Sequence, residues 1–198
     1  DLTANAEVPV LDGNPSPQVI GWLLDYALAA GVPVLLDTVS VAKAEWIGPV
    51  LNPTRPVHTV TPNIDELAGL LGHPVGTSTQ EIVAAAAELH ARGVSNVWVR
   101  RGPSGSLLST WSDEEGTEVH EFAAPQAEVV DVTGAGDSMS AGYLHAWLAV
   151  GDVVEAAHFG QALASLTVES TDTVRADLTP DLVEARVRRD LPTLPEGA

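Results

Sequence analysis

Apolar residues along the chain fall into short runs separated by longer amphipathic stretches. Val8–Leu11 reads as a strand, and Asp12-Gly13-Asn14-Pro15 as the turn after it. Ser16 stands where a helix N-cap belongs, with Pro17 at the first helical position, where its missing N–H costs nothing. Val19, Ile20, Leu23, Ala27 and Leu28 recur at helical spacing up to Gly31, a C-terminal stop. Val32–Leu36 predicts a second strand ending at Asp37, Val41–Leu51 a helix, and Val57–Val60 a third strand. Thr61-Pro62-Asn63 breaks the chain before a short helix over Ile64–Leu71. Ser78 and Glu81 have capping-box spacing for a helix running to Ala91. Asn96–Val99 reads as a strand, and Ser106–Thr110 with Glu118–Phe122 as a hairpin around Asp113–Gly116. Helices follow over Ala135–Val150 and Val153–Val168, and a last one begins at Thr179-Pro180. The tail Leu191–Ala198 is expected to be loose.

Strands alternating with helices of this length imply βαβ units, hence an α/β fold with a mainly parallel sheet. The near-continuous apolar runs on the strands imply helices on both faces. We read residues 1–198 as a single α/β domain. A chain that is 45% hydrophobic and 18% charged can bury a core. Nine basic residues against 27 acidic ones, a formal charge of −18, argue against a nucleic-acid surface, which needs clustered cations. Cysteine is absent, which excludes disulfides, thiolate metal sites and cysteine nucleophiles. The six histidines lack metal-ligand spacing. No apolar run approaches the ~20 residues needed to span a bilayer, and no signal peptide opens the chain. The expectation is a cytoplasmic protein with no membrane partner.

The most informative segment runs from Asp131 to Gly142. Two glycines flank an alanine just before a long helix, so Gly134, Ala135 and Gly136 present main-chain N–H groups at its positive end. A carboxylate beside that anion site, Asp137, is a poor choice for binding phosphate alone. It suits a reaction in which a hydroxyl loses its proton while attacking a phosphoryl group. The bland alternative is a glycine-rich turn whose aspartate favours the helix dipole. Asn63 and Glu66, after a strand and at a helix start, offer the oxygen atoms that a hard cation prefers. Asp37, Ser40 and Lys43 follow another strand, at the carboxyl end where open α/β sheets place ligands. A plain helix cap at Ser40 with a solvated Lys43 is the alternative there.

Asp131-Val132-Thr133-Gly134-Ala135-Gly136-Asp137, followed by Ala141-Gly142, closely resembles the second signature of the ribokinase (PfkB) family of carbohydrate kinases. Asn63-Ile64-Asp65-Glu66 looks like that family's Asn-x-x-Glu element. The resemblance implies a ribokinase-like fold, incomplete at its N-terminal side, where relatives carry a Gly-Gly sugar-binding element and a β lid. It implies Asp137 as catalytic base in contact with the acceptor hydroxyl, and Gly134–Gly136 as the anion hole. It further implies ATP with Mg²⁺ organised through water by Asn63 and Glu66, and a monovalent cation such as K⁺ at Asp131 and Thr133.

Arg100, Gly102 and Gly105 resemble the family's nucleotide-side strand and loop, although a threonine or small residue usually stands where Arg100 does. Gln161 falls near positions that line the adenine pocket. Asp12, Asn14 and Lys43 are the candidate substrate residues. Asp37-Thr38-Val39-Ser40-x-x-Lys43 resembles the pseudouridine-kinase branch, except that Thr38 replaces a proline. The implied partner is a small sugar or nucleoside, pseudouridine before ribose, fructose or adenosine. A homodimer is implied for the full-length protein. An ATP-binding module without activity is the rival reading.

Overall fold

The computed structural model describes residues 6–190. They divide into two compact units, one up to Glu121 and one from Phe122 onward. The expected loose tail lies outside the described residues.

In the first unit the elements are β1 (Val10–Asp12), α1 (Pro17–Ala30), β2 (Leu35–Asp37), α2 (Val41–Ile47), β3 (Val57–Val60) and α3 (Ile64–Leu71). There follow α4 (Thr79–Ala91), β4 (Val94–Arg100), β5 (Ser106–Ser112) and β6 (Gly116–Phe122), whose last residue crosses the boundary. The strands lie in the order β1-β2-β3-β4-β5-β6. β1 to β4 are parallel, and β5 runs antiparallel to β4. The parallel part thus comes from three consecutive strand–helix crossovers.

Local chemistry fixes these boundaries. α1 is capped by Ser16, whose hydroxyl accepts from Val19 N, and stops at Gly31 in the left-handed region. Val32 N still reaches back to the Ala27 carbonyl, and Pro33 has no N–H for a ladder. β2 therefore starts at Leu35, three residues later than the apolar run predicts. α2 likewise ends at Ile47 and tightens into a 3₁₀ turn over Gly48–Val50, since Pro49 lacks a donor. α3 and α4 both begin with reciprocal capping boxes, Asn63/Glu66 and Ser78/Glu81.

The core of this unit joins Leu24, Leu36, Ile47, Val60, Leu67, Ile82, Leu89 and Val97. Leu35 and Leu36 are both buried, as are Val97, Trp98 and Val99, so both faces of these strands are covered.

The second unit holds α5 (Ala135–Val150), α6 (Val153–Thr167) and α7 (Pro180–Asp190). A Cβ on Gly142 of α5 would stand 2.9 Å from Gly160 Cα of α6, so the glycine lets the two backbones approach closely. α6 meets α7 through Ala162, Leu166 and Val183, with Phe159 and Leu182 packed alongside. Among the described residues no helix is long and apolar enough to cross a membrane.

Candidate active site

The second unit carries the α5 tip. Gly134 is its N-cap with φ 78°, and a Cβ there would lie 2.6 Å from the Thr173 carbonyl oxygen, so glycine is required twice over. Of the three amides expected to form an anion hole, that of Ala135 already donates to Val132 O at 3.2 Å. The N–H groups of Gly136 and Asp137 have no acceptor among the described residues. The Gly134 N–H likewise has no acceptor among the described residues, so Gly134, Gly136 and Asp137 carry the open donors of this tip. Asp137, in the first turn, is exposed and has no hydrogen-bond partner among the described residues.

Asp131 Oδ1 accepts from Thr133 N (2.8 Å) and from the Thr133 hydroxyl (2.7 Å). These two bonds, the main-chain one foremost, hold its carboxyl below the usual carboxylate range. Both residues are exposed. Gln161 is buried, and its amide donates to the Ala123 carbonyl. It ties the segment after β6 to α6.

In the first unit the carboxyl ends of the four parallel strands bring the other candidates together. Asp12 and Asp37 are register partners at the ends of β1 and β2. Asn63, past the end of β3, bridges to Arg100, the last residue of β4, with Arg100 N donating to Pro62 O. Asp12 accepts from both the amide N–H and the side-chain nitrogen of Asn14. A Cβ on Gly13 would lie 2.9 Å from both Lys43 Cβ and Thr38 O, so this loop packs directly on the start of α2. Lys43 rests its ammonium 4.8 Å from the centroid of the Trp46 ring. Asp37 accepts from Val39 N and from the Thr61 hydroxyl. Val39 has φ 64°, rare for a β-branched residue, and Ser40 N bonds back to Thr38 O at 2.7 Å, a γ-turn pattern.

Glu66 is 5% exposed. Its Oε2 accepts from Asn63 N (2.9 Å), the Thr38 hydroxyl (2.7 Å) and Arg100 Nη2 (2.9 Å). Arg100 therefore faces the candidate metal carboxylate, and its Nε is buried with no hydrogen-bond partner among the described residues. Asn63 Oδ1 accepts from Glu66 N as the helix cap. This leaves Glu66 Oε1 with no donor among the described residues. A single open carboxylate oxygen, with no group of three or more acidic or histidine side chains nearby among the described residues, fits Mg²⁺ held through its waters rather than in a protein cage. In the β4–β5 loop, Gly102 and Gly105 have φ 56° and 83°, and Gly105 N bonds to Gly102 O. The bond from Thr38 was missed in the sequence, and its one signal was the threonine standing in place of a proline.

The first unit thus offers a parallel sheet with polar residues along its carboxyl edge, and the second a glycine-opened helix with an exposed carboxylate in its first turn. The chain belongs to the pfkB family of carbohydrate kinases, whose pattern it matches over residues 5–180. A pseudouridine kinase from Escherichia coli (strain K12) is 33% identical over 180 residues, covering 90% of this chain and 54% of that protein. A 1-phosphofructokinase from Haemophilus influenzae is 34% identical over 164 residues, covering 83% and 49%. Among solved structures, Arabidopsis thaliana ribokinase complexed with ribose and ATP has a TM-score of 0.74 at 26% identity, over 94% of this chain and 56% of that one. The chain spans about half the length of the curated relatives it matches.

Proposed function

We propose that the protein carrying this chain transfers the γ-phosphoryl group of ATP to a hydroxyl of a sugar or nucleoside in the cytoplasm. The observation that carries the reading is the exposed Asp137 carboxylate in the same helical turn as two unengaged main-chain amides. The Gly136 and Asp137 amides neutralise charge on the phosphoryl oxygens. Asp137 takes the proton of the acceptor hydroxyl as its oxygen bonds to phosphorus and ADP departs. Asn63 and Glu66 would hold Mg²⁺ through water, and Asp131 with Thr133 would order a monovalent cation. The metal ion, when bound, supplies positive charge to the phosphates. Gly102 and Gly105 flank the nucleotide. Gln161 gives one N–H to Ala123, and its remaining amide groups stay candidates for the adenine side.

The favoured acceptor is pseudouridine, phosphorylated at its primary hydroxyl. The 33% identical relative of that name supports it, as does Asp37-x-Val39-Ser40-x-x-Lys43. Two carboxylates, Asp12 and Asp37, end adjacent strands at the proposed acceptor edge, and the nearby Lys43 ammonium sits on Trp46. Such an edge suits the hydroxyls of an uncharged ribosyl compound and opposes an anionic sugar phosphate. Turnover of the full-length protein should be compared on pseudouridine, ribose, fructose and fructose 1-phosphate. We expect kcat/KM highest for pseudouridine and lowest for the phosphorylated sugar. A preference for fructose 1-phosphate would remove the acceptor assignment, and no transfer to any acceptor would remove the kinase.

A further inference from the structure

Two of the places where this sequence departs from the expected pattern, Thr38 and Arg100, lie far apart in the chain yet converge on one atom. Thr38 follows β2 and Arg100 ends β4, and both donate to Glu66 Oε2 on α3, at 2.7 Å and 2.9 Å. Thr38 is fully buried, and Arg100 pairs with a carboxylate that is itself 5% exposed. With the Asn63 amide as third donor, Oε2 is saturated, and the whole carboxylate can turn only by breaking three bonds. Its second oxygen, Oε1, takes no protein donor among the described residues.

We propose that Thr38 and Arg100 are a matched pair of positioning residues that fix Glu66 so that Oε1 alone faces a metal-bound water. The inference rests on the kinase reading and deepens it. A proline at position 38 has no hydroxyl, and a threonine at 100 lacks the reach and charge of a guanidinium, so a sequence with the usual residues must hold this glutamate differently.

The pair has a second consequence. Thr38 belongs to the loop bearing the strained Val39, and that loop carries Asp37 and Ser40 on the acceptor side. Arg100 belongs to the strand that leads into the Gly102–Gly105 loop. Through one carboxylate oxygen the acceptor loop and the nucleotide loop share a rigid connection. Both side chains bond Glu66, and the proposal has them act through it.

The test is calorimetric binding of ATP to the full-length protein, with Mg²⁺ and with a chelator, in Thr38→Val, Arg100→Thr and the double variant. Partners that orient a metal's ligands commonly change metal affinity about 10- to 100-fold when removed. We expect Mg·ATP to weaken at least about tenfold in each single variant while metal-free ATP changes by less than about twofold. Thr38→Ser, which keeps the hydroxyl, should restore native values. The double variant should lose less than the product of the two single losses, because both act on one atom. Should Arg100→Thr fail to fold, Arg100→Lys, which keeps the charge and loses the aimed fork, should show the same selective loss on a smaller scale. Folded variants with native metal dependence, or with equal loss in both conditions, would overturn this inference alone. A native protein that binds no ATP in either condition would overturn the kinase reading and this inference together.

Discussion

At residue 134 a single hydrogen atom in place of a methyl group decides the shape of the α5 tip. Gly134→Ala must carry φ 78° and a Cβ 2.6 Å from the Thr173 carbonyl. Strain of that kind costs about 1–3 kcal/mol, and it falls on the turn that opens the free amides. The variant should melt at lower temperature and bind ATP more weakly, measured by thermal unfolding with and without nucleotide. An unchanged melt would mean that the turn relaxes freely.

His58 gives a second prediction at this scale. Burial pushes its imidazole down to about 4, so the folded chain holds it neutral while the unfolded chain takes up a proton below about 6.5. Its contribution is complete above pH 6.5 and is lost as pH falls towards 4. Burial also lowers His90, more than the opposing Val94 carbonyl bond raises it. Urea unfolding should therefore show stability falling by up to about 2 kcal/mol between pH 7 and pH 5. His58→Gln should flatten that slope, and an unaltered slope would move the effect elsewhere.

At the scale of elements, α5 and α6 cross where Gly142 faces Gly160, and this explains the glycine that ends the signature segment. Gly142→Val would drive a branched side chain into the Gly160 backbone and the Leu163 side chain. Overpacking of that kind costs about 1–3 kcal/mol, and a chemical denaturation curve would register it. Elements with self-contained signals were legible in the sequence. α3 begins at Ile64 because Asn63 and Glu66 cap each other, and α5 ends at Gly151 because that residue takes the left-handed turn. β2 was placed too early because Val32 is apolar but still bonds to the end of α1. The exposed carboxylate of Asp137 followed from a local motif. The Glu66 cluster did not, because its partners come from 28 and 34 residues away and no local pattern announces them. Nor did the sequence show that the turn gives the Ala135 amide a bond to the Val132 carbonyl.

For the whole molecule, the fate of its nine basic residues matters more than the net charge of −18. Arg55, Arg100, Arg101, Arg175, Arg186 and Arg188 pair with carboxylates. Arg92 and Arg189 donate to main-chain carbonyls, and Lys43 lies on Trp46. Every cation of the chain is thus engaged, while 27 acidic residues surround them. We infer that main-chain amides and a metal ion from solution supply much of the charge that a triphosphate meets on this chain. Removing Mg²⁺ with a chelator should abolish transfer, and restoring it should recover the full rate. Metal-independent transfer would contradict this charge accounting.

The central claim is that Asp137 removes the acceptor proton and does not serve to hold the fold or the nucleotide. It is tested most directly by following transfer of the labelled γ-phosphate of ATP to pseudouridine in Asp137→Asn of the full-length protein, with Mg·ATP affinity measured on the same sample. The account predicts a fall in kcat of about 10²–10⁴-fold, with native ATP affinity and an unchanged melting temperature. Native turnover in that variant, or loss of ATP binding in step with turnover, would contradict it.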